Sequence, residues 1–276
     1  KEAPLLFRPQ LDWDQWRWGL KFLAQCNDTA FERNVQQIVA LGAYSHAALK
    51  DVVRATGIQY HRLECGIAHF YSDQKSLDEA GHAVEVMRKF GVQRRLVSRA
   101  ELLQIEPAFS AYGERITGGT YTSTDESGDA RLFTQQLARR CAERGAQFLY
   151  GHDVLRLNKT GNTIDSVAVS AIQSGATGQK HSILKGDAIV VACGSYSAPL
   201  LRSVGVDLPI YPGKGYSATF LLLRPEAAPL VSAIDDGKKL AMSRLGDVLR
   251  VAGTMELGGL DLSLDNPVAK ARCHLL

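Results

Sequence analysis

The chain has 276 residues, of which 22% are charged, and a net charge of +3, a composition typical of a globular protein with one large or two modest domains. It contains no dense block of Lys or Arg, which argues against nucleic-acid binding, and no apolar run of membrane-spanning length. The five cysteines form no CxxC pair and the seven histidines show no HxxxH spacing. We therefore predict a reducing compartment, no disulfide framework and no metal site.

The first half of the chain predicts four helices and two strands. Trp13, Trp16, Leu20 and Leu23 recur at helical spacing and predict a helix over about 12–25. Its tryptophans, Trp13, Trp16 and Trp18, are expected to pack on the rest of the protein, with an interaction surface as the alternative. An N-cap at Asn27-Asp28-Thr29 begins a long helix that ends near Gly57. The following segments predict a strand, a helix, a short capped helix stopped by Pro107, and a strand: "YHRLECGIAHFY", "SLDEAGHAVEVMRKFG", "SRAELLQIEPAF" and "ITGGTYT".

The second half is richer in predicted strands. Asp129 is expected to cap a helix that ends at Gly145, and "AQFLY" and "AIVVACG" are expected to be buried strands. A hairpin is predicted around Thr160-Gly161-Asn162. Three further strands follow Pro209, in "YSATFLLL", "KLAMSRL" and "VLRVAGTME". "GKGYSA" (213–218) fits G-x-G-x-x-A, but it leads into a strand and not a helix, so we reject it as a dinucleotide-binding fingerprint.

This order of elements predicts an α/β (α+β) fold built from two parts. Residues 1–121 and 206–276 mix helices with antiparallel strands and are interpreted as the two pieces of one substrate or cap domain. Residues 122–205 read as helix, strand, hairpin and strand, and are interpreted as part of a second domain.

Several local sequences in register resemble one known family. "EPAF", "TGGTYTSTDESGD", "ACGSYSAPLL", "YPGKGYSATF" and "MSRLGDVLRVAGTMELGG" resemble the FAD-dependent D-amino acid oxidase superfamily, and within it the quinone-linked D-amino acid dehydrogenases of bacteria. The resemblance implies that 122–205 is part of a Rossmann-like FAD-binding domain. The family's N-terminal GxGxxG segment and its C-terminal segment have no match here, so we expect the chain to be the central part of such an enzyme. Expressed alone, it is expected to be poorly soluble or colourless.

The resemblance also implies which residues meet FAD. Ala192, Cys193 and Gly194 would form the turn that passes the diphosphate and ribityl region, where small residues leave room for the cofactor, and Tyr196 would lie near the flavin edge. A plain strand-to-helix turn is the alternative. Val154 would meet the adenine end of FAD, or equally be a core valine. Cys193 is expected to be a buried, inert thiol.

On the substrate side, the resemblance places Lys214 and Gly215 beside the isoalloxazine ring, where a cation would favour the reduced flavin. Tyr216, Met242, Arg244 and Met255 would wall the substrate pocket. For the two methionines core packing is an equal alternative, and Arg244 could equally be a surface residue of a strand.

The implied function is oxidative deamination of D-amino acids to 2-oxo acids and ammonia. Hydride passes to FAD without a catalytic side chain, and the electrons pass to a quinone or another acceptor. The implied location is the cytoplasm, with peripheral association at the inner face of the plasma membrane. The alternatives are a glycine- or sarcosine-type amine oxidase of the same superfamily, and an inactive truncated module that cannot hold FAD.

Overall fold

The computed structural model describes residues 4–172, 181–265 and 267. Six α-helices lie in these residues: α1 Trp13–Ala24, α2 Asp28–Thr56, α3 Gln74–Lys89, α4 Arg99–Ile105, α5 Ala130–Glu143 and α6 Ser197–Arg202. The strands are β1 Leu5–Phe7, β2 Ile67–Tyr71, β3 Arg94–Ser98, β4 Gly118–Thr122, β5 His152–Thr160, β6 Thr163–Ala171, β7 His181–Lys185, β8 Lys214–Leu221, β9 Ser232–Asp235, β10 Leu240–Leu245 and β11 Val248–Leu257. The predicted α/β class, with helices and strands intermixed, is confirmed.

The chain divides into two compact units. The sheet unit comprises Lys1–Arg8, Gln25–Cys141 and Gly213–Leu276, and the hairpin unit comprises Pro9–Ala24 and Ala142–Pro212. The boundaries predicted after residues 121 and 205 concern the domains of a whole enzyme and stay a prediction.

The sheet unit is built on an eight-stranded mixed sheet. Its strand order is β1-β11-β10-β9-β2-β4-β3, and β8 also pairs with β11. The pairs β1–β11 and β2–β9 are parallel and the others are antiparallel. The core of this unit consists of Ala68, Phe70, Val97, Leu102, Phe109, Ile116, Val231 and Ala233. These residues lie on or next to α4, a 3-10 helix over Pro107–Arg115, and the strands β2, β3 and β9.

Local capping explains why the helices of the sheet unit begin and end where the sequence predicts. The Asn27 side chain accepts a hydrogen bond from Ala30 N at the start of α2, and Gly57, with φ of 66°, ends it. Asp129 Oδ1 accepts from Leu132 N at 3.0 Å at the start of α5. These predictions are confirmed.

The hairpin unit holds the three-stranded antiparallel sheet β5-β6-β7, together with α1 and α6. The predicted hairpin is confirmed, with Gly161 at φ of 63° in the turn between β5 and β6. Ion pairs fix α1 within this unit: Arg17 to Asp207 at 2.9 Å and Arg202 to Asp14 at 2.9 Å.

Two strand predictions in the hairpin unit are wrong. Residues 146–150 and 188–193 form no ladder with any described strand, and Phe148, Leu149 and Tyr150 are exposed. A strand needs a neighbour that satisfies its backbone N–H and C=O groups, and none of the described residues provides one here. For the same reason Cys193 is exposed, where a buried thiol was predicted.

The predicted packing of the α1 tryptophans is wrong for two of the three. Trp13 and Trp16 are 74% and 47% exposed. Trp18, on another face of the helix, makes an aromatic contact within the hairpin unit, with its ring 5.9 Å from that of Tyr211. Among the described residues, no helix is both long and apolar enough to cross a membrane.

Candidate functional site

The turn at Cys193-Gly194 in the hairpin unit leaves its backbone open. Gly194 has φ of 54°, in the left-handed region that favours glycine, and it begins a single 3-10 turn that leads into α6. A Cβ added at Gly194 would meet no atom of the described chain within 4 Å. The Cys193 amide donates to Ser197 Oγ at 3.1 Å, which fixes the turn. The turn is open at Gly194, and the role of its small residues beside a cofactor stays a prediction.

The other cofactor residues predicted in this unit are accessible. Ala192 and Cys193 are exposed, as is Tyr196, at 53%. Val154 pairs with Val169 across the hairpin and is 46% exposed, so its side chain is not in the core of the described structure. The structure brings 192–196 together as one surface turn and places Val154 separately on β5.

In the sheet unit, the predicted residues Lys214 and Tyr216 converge on a carboxylate that sequence reasoning missed. β8 and β11 pair so that Lys214 lies opposite Glu256 and Tyr216 opposite Thr254. The Tyr216 hydroxyl donates to Glu256 Oε2 at 2.6 Å, and Lys214 Nζ lies 3.4 Å from the same oxygen. Glu256 is fully buried. Because alternate residues of a strand share a face, the pattern in "GTMEL" could have placed Thr254 and Glu256 beside Tyr216 and Lys214.

Both partners of Glu256 keep their protons at neutral pH. Burial would lower the pKa of Lys214, but its hydrogen bonding with Tyr216 and the negative charge of Glu256 outweigh burial, and the pKa is raised. The pKa of the Tyr216 hydroxyl is raised by burial and by its hydrogen bond to Glu256. The result is a lysine cation and a neutral tyrosine held by one carboxylate.

A chain of polar contacts surrounds this trio. Lys214 Nζ donates to Ser263 O at 2.8 Å, and Ser263 N donates to Asp261 Oδ1 at 2.9 Å. Arg8, next to β1, contacts Asp261 Oδ2 at 3.2 Å and lies 3.7 Å from Glu256 Oε1. The segments on either side of β8 and β11 are thus connected to the buried carboxylate.

The remaining predicted residues lie on the same or the adjacent strand. Gly215 pairs directly with Met255, whose side chain is 45% exposed on the face of β11 opposite to that of Glu256. On β10, Met242 packs against the core. Arg244 donates from Nε to Gly246 O at 3.2 Å and from Nη1 to Pro225 O at 3.0 Å.

A second polar cluster, also missed from the sequence, lies where the end of β9 pairs with β2. His69 Nδ1 lies 2.8 Å from Asp236 Oδ2, and Lys239 Nζ donates to Asp236 Oδ1 at 2.7 Å. Burial alone would raise the pKa of Asp236, but the hydrogen bonds from His69 and Lys239 lower it. Burial, followed by the charge of Asp236, raises the pKa of Tyr71 to about 12.

Fold and sequence define the class of protein. The chain belongs to the family of FAD dependent oxidoreductases (DAO), whose profile matches residues 6–274. The predicted family is therefore confirmed, and FAD is the cofactor on which that family depends.

Two relatives carry a more specific name than the family. The chain is 45% identical over 276 residues to a D-amino acid dehydrogenase of Dechloromonas aromatica (strain RCB), covering 100% of this chain and 64% of that protein. It is 37% identical over 262 residues to a D-amino acid dehydrogenase of Granulibacter bethesdensis, covering 95% of this chain and 60% of that protein. The chain thus spans less than two thirds of the length of these relatives.

Solved structures share the fold at low sequence identity. The L-proline dehydrogenase from P. horikoshii matches with a TM-score of 0.68 and 16% identity, over 87% of this chain and 60% of that chain. The glycine oxidase from Geobacillus kaustophilus matches with a TM-score of 0.64 and 20% identity, over 82% of this chain and 58% of that chain.

Proposed function

We propose that this chain is the central part of an FAD-dependent dehydrogenase that oxidises D-amino acids to 2-oxo acids and ammonia. The observation that carries the proposal is the 45% identity to a D-amino acid dehydrogenase along all 276 residues. Because the chain spans 64% of that relative, the activity is proposed for the whole enzyme.

FAD, when bound, accepts the hydride from the substrate Cα. The chain's own side chains bind the cofactor and orient the substrate. In the hairpin unit, the open turn at Ala192–Gly194, Tyr196 and Val154 are the residues proposed to hold the cofactor. In the sheet unit, Lys214 and Gly215 are proposed to lie beside the flavin ring.

The substrate residues are proposed from the same resemblance. Tyr216 offers its ring, since its hydroxyl donates to Glu256. Arg244 uses two of its donors for backbone carbonyls, and a guanidinium carries about five N–H groups, so donors remain for a substrate carboxylate. Met255 offers exposed apolar surface to the substrate. Met242 packs against the core and would support the pocket indirectly.

The reaction needs no catalytic acid or base from the protein once the amine is neutral. The Cα hydrogen leaves as hydride, the amine loses a proton, and water adds to the resulting imine to give the 2-oxo acid and ammonia. By resemblance, we extend the proposal to a quinone as electron acceptor and to a cytoplasmic enzyme associated peripherally with the inner face of the plasma membrane.

A chimera tests this proposal. Residues 4–265 would replace the matching segment of the D. aromatica relative, and the unmodified relative is the control. We expect the chimera to hold FAD, and its visible flavin absorption to bleach anaerobically with D-alanine but not with L-alanine. Bleaching by sarcosine without bleaching by D-alanine would assign the chain to the amine oxidases. A folded chimera without flavin would refute the cofactor role.

A further inference from the structure

The carboxylate of Glu256 lies where an ionised group is costly unless it is paired. Its side chain is 0% exposed, on the long strand β11 of the sheet unit. Burying a carboxylate is tolerated when hydrogen bonds and an opposite charge compensate for the lost hydration. Tyr216 and Lys214 supply that compensation from β8, the neighbouring strand.

We propose that Glu256 is a positioning residue, which fixes the Lys214 ammonium and the Tyr216 ring on β8 for the reaction centre. The proposal rests on the proposed function for what those two residues face. The resemblance alone gives Lys214 as a cation beside the flavin, with no protein partner named. In the structure the ammonium already has Glu256 and the Ser263 carbonyl as partners.

Geometry supports a positioning role over an incidental contact. Cross-strand pairing places Lys214 directly opposite Glu256, and one oxygen, Oε2, contacts both the tyrosine hydroxyl and the ammonium. A lysine side chain is flexible and loses considerable rotamer freedom when it is held, so a fixed partner is needed to hold it. Lys214 is only 12% exposed, so few other partners can reach its ammonium.

The charge of Lys214 is the measurable property that depends on Glu256. The charged or titratable groups near it are Glu256, Tyr216, Arg8 and Asp261. Removing the carboxylate leaves a nearly buried ammonium with a carbonyl, a tyrosine and a nearby arginine. Since burial then acts without the opposing charge, the pKa of Lys214 should fall.

Competitive labelling of the 276-residue chain with acetic anhydride measures this directly. Only the free amine reacts, so the pH dependence of acetylation at each lysine, read by peptide mass spectrometry, reports its pKa. We expect Glu256→Gln to lower the pKa of Lys214 by about one unit or more. Lys75, which is 87% exposed, is the internal reference and should not change. An unchanged Lys214 titration in Glu256→Gln would overturn the proposal.

Two control variants distinguish loss of the Glu256 charge from a general disturbance of the fold. Glu256→Asp keeps the charge and should restore most of the Lys214 pKa. Asp51→Asn removes a carboxylate that is 72% exposed in the same unit and should leave Lys214 unchanged. A Glu256→Asp result as large as that of Glu256→Gln would contradict a charge-based role.

A stability measurement on Lys214→Met covers the case in which Glu256→Gln does not fold, and an unchanged urea midpoint would then overturn the proposal. Lys214→Met alone should lower the urea midpoint, because it leaves the buried carboxylate without its cation. The double variant Lys214→Met/Glu256→Gln should lose less than the sum of the two single variants. Additive losses would show that the two side chains act independently and would overturn the proposal.

The chimera then connects positioning with function. Glu256→Gln should shift the pH profile of flavin reduction by D-alanine, and Glu256→Asp should restore it in part. An unshifted profile in a variant whose Lys214 pKa has fallen would overturn the positioning role. If no chimera binds flavin, the proposed function fails, and labelling and stability alone decide whether Glu256 fixes Lys214.

Discussion

Glu106 connects the 3-10 helix Pro107–Arg115 to the start of β9. Its carboxylate accepts three backbone hydrogen bonds: Oε1 from Ala108 N at 3.0 Å, and Oε2 from Leu230 N at 2.7 Å and Val231 N at 2.9 Å. The residue is 5% exposed and Val231 is part of the core. The bond to Val231 N is buried and the other two are partly buried, so water can replace the carboxylate only in part.

Glu106→Ala removes the acceptor for all three amides. A buried donor left without a partner costs about 1–3 kcal/mol. Since two of the three amides are only partly buried and such losses add incompletely, we expect a total of about 2–5 kcal/mol. Glu106→Gln keeps one oxygen but turns an NH₂ group towards an amide donor and removes the charge, for a loss of about 1.5–3 kcal/mol. A total stability of about 5–15 kcal/mol makes either loss severe.

Urea unfolding, followed by circular dichroism, measures both losses. The matched control is Glu114→Gln, an exposed glutamate of the same 3-10 helix, which should change stability by less than about 0.5 kcal/mol. A Glu106→Ala variant within about 1 kcal/mol of the parent would contradict this prediction, because the three amides would then have found other partners.

Three further predictions use single sites. Gly194→Val in the chimera should lose flavin content, while Gly145→Val, equally strained at φ of 93°, should retain it; flavin retained in both would make the turn only structural. Gly253→Ala should destabilise by about 1–3 kcal/mol by overpacking, because its Cβ would lie 2.8 Å from Lys239 O, and a neutral result in urea unfolding would contradict this contact. Asp236 has a lowered pKa, so its stabilisation is present above its unfolded value and is lost as pH falls below about 4; an Asp236→Asn variant with the parent's acid unfolding curve would contradict this assignment.

Local signals predicted the regular elements well. Asn27 and Gly57 bound α2, Asp129 caps α5, and Thr160-Gly161-Asn162 turns the hairpin, because each of these effects operates within a few residues of the chain. The rejection of "GKGYSA" as a nucleotide-binding turn was also correct, since β8 begins at Lys214.

Contacts between residues far apart in the sequence account for the structural features that could not be predicted. Residues 188–193 have the apolar composition of a buried strand, but strand formation depends on a neighbour that composition does not encode. Glu256 and Asp236 were overlooked for a related reason. Their importance comes from cross-strand register and from buried partners far away in sequence, such as Lys214 and His69.

We propose that the whole enzyme to which this chain belongs oxidatively deaminates D-amino acids. The most direct test of this proposal is product analysis of the chimera with an artificial dye as electron acceptor and D- or L-alanine as substrate. We expect D-alanine to yield 2-oxo acid and ammonia in equal amounts, matched by dye reduction, and L-alanine to yield neither. Equal rates with the two enantiomers, or dye reduction without release of ammonia, would contradict it.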